Sequence, residues 1–135
     1  MIRVTTEPLD IAEHEKAVAD PRAGAVVSFT GVVRDHDHGR TVTALTYEAH
    51  PSAEEVLREV AAEIAADPDV YAIAVSHRHG PLAIGEVALA AAVSTAHRAA
   101  AFNACARLVD VVKQRIPIWK HQRFADGTEE WVNCP

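Results

Sequence analysis

The chain has 135 residues, a length that fits one compact domain, 1–135, with a core of its own. Hydrophobic residues make up 49% and charged ones 24%, ordinary globular usage that excludes a disordered tail, a collagenous chain and a coiled coil. Thirteen Lys and Arg against nineteen Asp and Glu give a net charge of −6, a poor basis for general nucleic-acid binding, which needs a basic surface.

In chain order, Ile2 to Thr6 alternates and holds β-branched residues, so it reads as a first strand. Asp10-Ile11-Ala12-Glu13 has capping-box spacing and predicts a short helix to about Ala19, stopped near Pro21. Gly24 to Val33, apolar nearly throughout, predicts a buried strand. A polar loop, Arg34 to Arg40, then leads to a strand over Val42 to Ala49. Ser52-Ala53-Glu54-Glu55 is a second capping box. Beyond it Val56, Leu57, Val60, Ala61, Ile64 and Ala65 recur at helical spacing and form one buried stripe. Val70 to His77 and Glu86 to Val93 predict two more strands, joined through His79-Gly80-Pro81. A long helix is expected from about Thr95 to Lys113, packing through Ala100, Ala101, Ala104, Leu108, Val111 and Val112, with Pro117 barring its continuation. Trp119 to Phe124 and Glu129 to Val132 predict a closing hairpin. Strands in runs with helices between some of them define an α+β fold with a mostly antiparallel sheet.

No apolar run approaches the ~20 residues of a membrane span, and Met1 to Thr5 lacks a signal peptide's apolar stretch. The two cysteines, Cys105 and Cys134, make no disulfide framework, so a reducing cytoplasm is the expectation. Cys105 falls mid-helix among apolar residues, as a small core hydrophobe does, and Cys134 is expected to fray with the chain end. Two histidine-rich stretches, Arg34-Asp35-His36-Asp37-His38 and His77-Arg78-His79, have ligand chemistry suited to zinc. Helical His-x-x-x-His and Cys-x-x-Cys spacings are lacking, so no metal is expected. A metal-dependent hydrolase using His36, His38, His77 and His79 stays as an alternative.

The charge is unevenly placed. From His97 to Phe124 six basic residues face the single acid Asp110, a local +5 that leaves −11 for the remainder. Such an island favours a small anionic ligand held at one site. His97 and Arg98 are expected in the first turn of the long helix, where free N–H groups and the dipole attract anions. Lys113 comes at the other end, with Lys120 beyond Pro117. Paired lysines suit acid–base work, because one cation disfavours protonation of the next, although a helix C-terminus stabilises a cation. Sixteen residues of helix separate His97 from Lys113, roughly 24 Å at 1.5 Å per residue. For both to serve one small substrate, they must come from two copies packed head to tail in a symmetric dimer.

At these residues the sequence resembles the catalytic (large) subunit family of molybdopterin synthase, over nearly its whole length. The resemblance runs from Gly24-Ala25-Val26-Val27-Ser28-Phe29-Thr30-Gly31-Val32-Val33-Arg34 through Leu45-Thr46-Tyr47-Glu48, His77-Arg78-His79-Gly80 and Gly85-Glu86. It continues with His97-Arg98-Ala99-Ala100-Ala101-Phe102, Lys113, Pro117-Ile118-Trp119-Lys120, Asp126-Gly127 and Trp131-Val132. The resemblance implies an α/β-hammerhead fold forming a homodimer, with a ubiquitin-like small subunit docked at each outer end of a heterotetramer. It implies sulfur transfer from that subunit's C-terminal Gly-Gly thiocarboxylate to cyclic pyranopterin monophosphate, building the dithiolene of molybdopterin without a cofactor or metal. Carried over by motif, Lys113 is the central catalytic lysine and Lys120 its partner, with His121 and Gln122 lining the pocket. Val32, Val33 and Arg34 bound its pterin side, and His97 and Arg98 reach in from the neighbouring subunit. Many relatives carry an arginine after the Trp-Val pair. None follows Trp131 here, so either Arg115 or Arg123 compensates or the pocket is more open. A non-catalytic subunit that only binds a phosphorylated metabolite is the runner-up reading.

Overall fold

The structure, a computed structural model, describes residues 1–133; the expectation for Cys134 lies outside them. In chain order the elements are β1 (Ile2–Thr5), α1 (Ile11–Ala17), β2 (Ala25–Val32), β3 (His36–Asp37), β4 (Arg40–Ala49) and α2 (Ala53–Ala65). They continue with β5 (Val70–Arg78), β6 (Gly80–Leu82), β7 (Val87–Thr95), α3 (Arg98–Arg115), β8 (Ile118–Phe124) and β9 (Glu129–Asn133). The α+β class and the antiparallel preference agree with the sequence reading. What the pattern did not reveal is that the strands divide into two sheets.

The first sheet runs β1-β5-β7-β2, with β1 parallel to β5 and the other pairs antiparallel. The second runs β3-β4-β8-β9, antiparallel throughout, and β6 also pairs with β4. Period-two alternation sorts the first sheet's side chains onto two faces. On one, Ala74 and Ala92 pack with Val18 just past α1. On the other, Val75, Leu89, Ala91 and Val93 pack under Leu57, Val60 and Ile64 of α2 and Leu108 and Val112 of α3. Helices cover both faces, so β7 is buried along nearly its whole length and reads as a continuous apolar run. The same core takes in Leu45 and Ile118 of the second sheet, which ties the two sheets together. Each such fully buried Val, Leu or Ile contributes about 1.5–3 kcal/mol.

Local chemistry explains the element ends. Asp10 caps α1 as expected, its side chain accepting from the Ala12 N–H at 3.0 Å. Ser52 precedes α2 but makes no capping bond; its hydroxyl lies 2.8 Å from His50 Nδ1 instead. The long helix begins later than expected. Thr95 closes β7, and its hydroxyl donates to the His97 carbonyl at 2.6 Å, so His97 is the N-cap and Arg98 the first helical residue. The loop after Arg34 folds into the β3–β4 hairpin, turning through His38 and Gly39 with φ of 49° and 77°, a left-handed turn that glycine tolerates without strain.

Candidate active site

The two sheets and the C-terminal end of α3 converge on a cavity of about 240 Å³. Its lining is Gly31, Val32, Arg34, Tyr47, His77, Ala88, Leu89, Lys113 and Lys120. Lys113 stands in the last turn of α3. Ile116 ends the helix in extended conformation, and Pro117 turns the chain into β8. Lys120 then lies opposite Tyr47 of β4 in the antiparallel register, so both side chains leave the same face. Val32 and Arg34 come from the end of β2 and the residues just after it, and His77 from the end of β5.

Cations dominate this cavity. Neither Lys113 nor Lys120 makes a hydrogen bond or ion pair among the described residues. Arg34 reaches Asp37 at 3.5 Å, and Asp37 also accepts a 2.8 Å hydrogen bond from the Gln122 side chain. That bond, chiefly, holds the Asp37 carboxyl below its ordinary range, so it stays ionised and anchors Arg34. His77 is fully buried, with Nδ1 2.7 Å from the Arg78 carbonyl oxygen. Desolvation, opposed by that hydrogen bond and aided by the Lys113 charge, depresses its pKa to about 4, so the ring is neutral near pH 7. The arrangement suits an anionic substrate, and its ammonium groups stabilise negative charge developing in a reaction.

Of the residues expected from sequence, Lys113, Lys120, Val32 and Arg34 come together. Val33 does not line the cavity: it follows β2, just past an irregularity at Gly31/Val32, and is buried in the core. His121 and Gln122, expected side by side in the pocket, are adjacent strand residues and must face opposite ways. Gln122 is buried on the Lys120 face and reaches the site only through Asp37. His121 points out of the other face, stacked on Trp131 at 4.5 Å in a separate cleft with Ala44, Thr46 and Arg123. His97 and Arg98 lie at the far end of α3. His97 lines a different cavity with Pro68, Asp69 and Tyr71, and Arg98 is exposed.

The basic island is likewise divided. Arg115 lies 2.9 Å from Glu63 and 3.4 Å from Glu59 of α2, and Arg107 lies 3.7 Å from Glu63. Arg123 faces Glu129 at 3.7 Å, so neither Arg115 nor Arg123 lines the lysine cavity. Burial pushes the Cys105 thiol up, which suits a core residue and not a nucleophile. Among the described residues no three His, Cys, Asp or Glu side chains gather as metal ligands. His36 and His38 are exposed on the hairpin, whereas His77 and His79 line different cavities. The four histidines of the hydrolase alternative therefore do not share a site. Sequence reasoning missed His77 and Tyr47 as lining residues; alternation from the buried Val75 already puts His77 on the core face.

Fold and site together define an α+β protein whose cationic cavity, lined by two lysines without a hydrogen bond or ion pair among the described residues, suits an anionic substrate. Residues 4–115 match the family model described as MoaE protein. The chain belongs to that family. It is 41% identical to molybdopterin synthase catalytic subunit 1 of Mycobacterium tuberculosis over 96% of this chain and 88% of that one. It is 39% identical to the molybdopterin synthase catalytic subunit of Arabidopsis thaliana over 91% of its length, and spans 62% of that longer protein. The crystal structure of molybdopterin synthase from Staphylococcus aureus superposes with a TM-score of 0.88 at 34% identity, covering 96% of this chain and 95% of the other.

Proposed function

We propose that this chain is the sulfur-transferring subunit of a molybdopterin synthase. It accepts the C-terminal thiocarboxylate of a ubiquitin-like small subunit and delivers its sulfur to cyclic pyranopterin monophosphate. The observation that carries this is the cavity with two unpaired lysines and Arg34 in its wall. Thiocarboxylate and cyclic phosphate are both anions, and a cationic cavity holds both while screening their repulsion. As sulfur attacks and oxygen leaves, Lys113 and Lys120 stabilise the negative charge and supply or take up protons. The relatives' name, catalytic subunit, fits a chain that works with a smaller partner. A cytoplasmic place agrees with the absence, among the described residues, of any helix long and apolar enough to cross a membrane.

The second half of the site comes from a twin copy. An apolar groove of about 430 Å³ runs between β2 and α3, lined by Val27, Phe29, Phe102, Cys105, Ala106 and Val109 among others. Strand β2 is an edge of its sheet, and Phe102 is 60% exposed. The groove's helical residues, Phe102 to Asp110, centre on Ala106. A two-fold axis there, between antiparallel helices, sets His97 of one copy opposite Arg115 of the other, within a turn of Lys113. His97 and Arg98 then bring the free N–H groups of the helix start to the substrate's phosphate.

The test mixes the purified protein with a thiocarboxylated small subunit and the cyclic precursor, and assays dithiolene formation. Lys113→Ala should lose turnover while still binding precursor. A variant that loses only affinity would instead support a binding subunit.

A further inference from the structure

The two buried histidines differ in one respect. His14 has both ring nitrogens engaged, Nδ1 with the Asp10 carbonyl and Nε2 with the Ser76 hydroxyl, each at 2.7 Å. His77 has only one. Its Nδ1 lies against the Arg78 carbonyl, which can only accept, so Nδ1 carries the proton and donates it. In the neutral ring Nε2 is then a bare acceptor, and it has no partner among the described residues. A buried acceptor left unpaired is costly, and such atoms in native proteins call for an explanation. His77 shares its cavity with Lys113 and Lys120, which are rich in donors and also unbonded. One cavity therefore holds an orphan acceptor beside orphan donors.

We propose that His77 is a positioning residue whose Nε2 accepts a hydrogen bond from the Lys113 ammonium, holding that amine where the reacting atoms arrive. Both line the same cavity, and of its two lysines Lys113 is the one whose charge acts on His77, which favours it over Lys120 as the donor. The Tyr47 ring meets the imidazole edge-on, with centroids 5.1 Å apart, and fixes its plane. A carboxylate in this position would hold Lys113 as well, but its charge would oppose the anionic substrate. A neutral imidazole holds the amine and leaves the cavity cationic. The idea rests on the sulfur-transfer reading for its purpose but not for its geometry.

The first arm of the test uses the whole protein labelled with 15N-histidine, the His77 signals being assigned from their loss in His77→Gln. Lys113→Met should shift the Nε2 resonance toward that of a non-accepting nitrogen and leave Nδ1 in place, whereas Lys120→Met should move neither. An Nε2 signal indifferent to Lys113→Met overturns the proposal. In the second arm, His77→Gln, whose side-chain oxygen replaces the acceptor, should keep kcat within about threefold. His77→Leu, of similar size without an acceptor, should lower kcat about tenfold or more at nearly unchanged KM. Equal activity in the two variants overturns the proposal too. If the wild-type protein transfers no sulfur, the functional reading fails, and the NMR arm still decides the contact.

Discussion

The buried imidazole makes the stability of this protein depend on pH in a way that one substitution removes. In the folded chain His77 has a pKa of about 4, against an ordinary value of 6.5 when unfolding exposes it. Above about pH 6.5 the ring is neutral in both states and contributes no pH dependence. Below that value the unfolded chain takes up a proton that the folded chain refuses, so stability falls as pH drops toward 4 and levels off beneath it. At 1.36 kcal/mol per pKa unit the full loss is about 3 kcal/mol, of which about 2 kcal/mol is gone by pH 5. Asp37, Glu86 and Asp126 have lowered pKa values. Their contribution, present above the carboxylate range, is also lost in acid. They are unchanged by His77→Leu, so their effect cancels in a comparison. Urea unfolding at pH 7 and pH 5, at equal protein concentration, should show the wild type losing about 2 kcal/mol more than His77→Leu. An equal loss in both proteins would refute the claim that His77 is buried and neutral.

Two further substitutions probe the dimer and the core. Phe102→Glu puts a charge in the apolar β2–α3 groove, so sedimentation should show a folded monomer that transfers no sulfur. Leu108→Ala empties a fully buried position between α3 and the first sheet. Denaturant titration should show a loss of about 2–5 kcal/mol, since the surrounding helices and strands close such a void only in part.

Much of this molecule is legible in its sequence because most of its elements follow hydrophobic period alone. The α2 stripe and the apolar run of β7 declare helix and buried strand without tertiary help. Short elements do not. Strand β6 has three residues, one of them Pro81, and is held by its pairing with β4 and the burial of Leu82, long-range contacts with no local signature. Thr95 suits a helix start as well as a strand, so the pattern predicts α3 from about Thr95; its burial at the end of β7 decides for the strand, and α3 begins at Arg98. Of the motif positions expected at the site, Lys113, Lys120, Val32 and Arg34 line one cavity. Val33 lies in the core, and His121, next to Lys120 on β8, leaves the opposite face into a separate cleft, a separation that motif proximity does not show. His77 drew attention as a metal ligand, and only its environment reveals a neutral acceptor beside a lysine.

Whether the lysines of one copy and the helix start of its twin form one reaction centre is open to a direct measurement. Co-expressing Lys113→Ala and His97→Ala chains under different tags allows the mixed dimer to be purified from the two parental dimers. In that dimer one site carries both substitutions and the other carries neither, so about half of wild-type sulfur transfer should return while each parental dimer stays inactive. A mixed dimer as inactive as its parents would contradict the shared site.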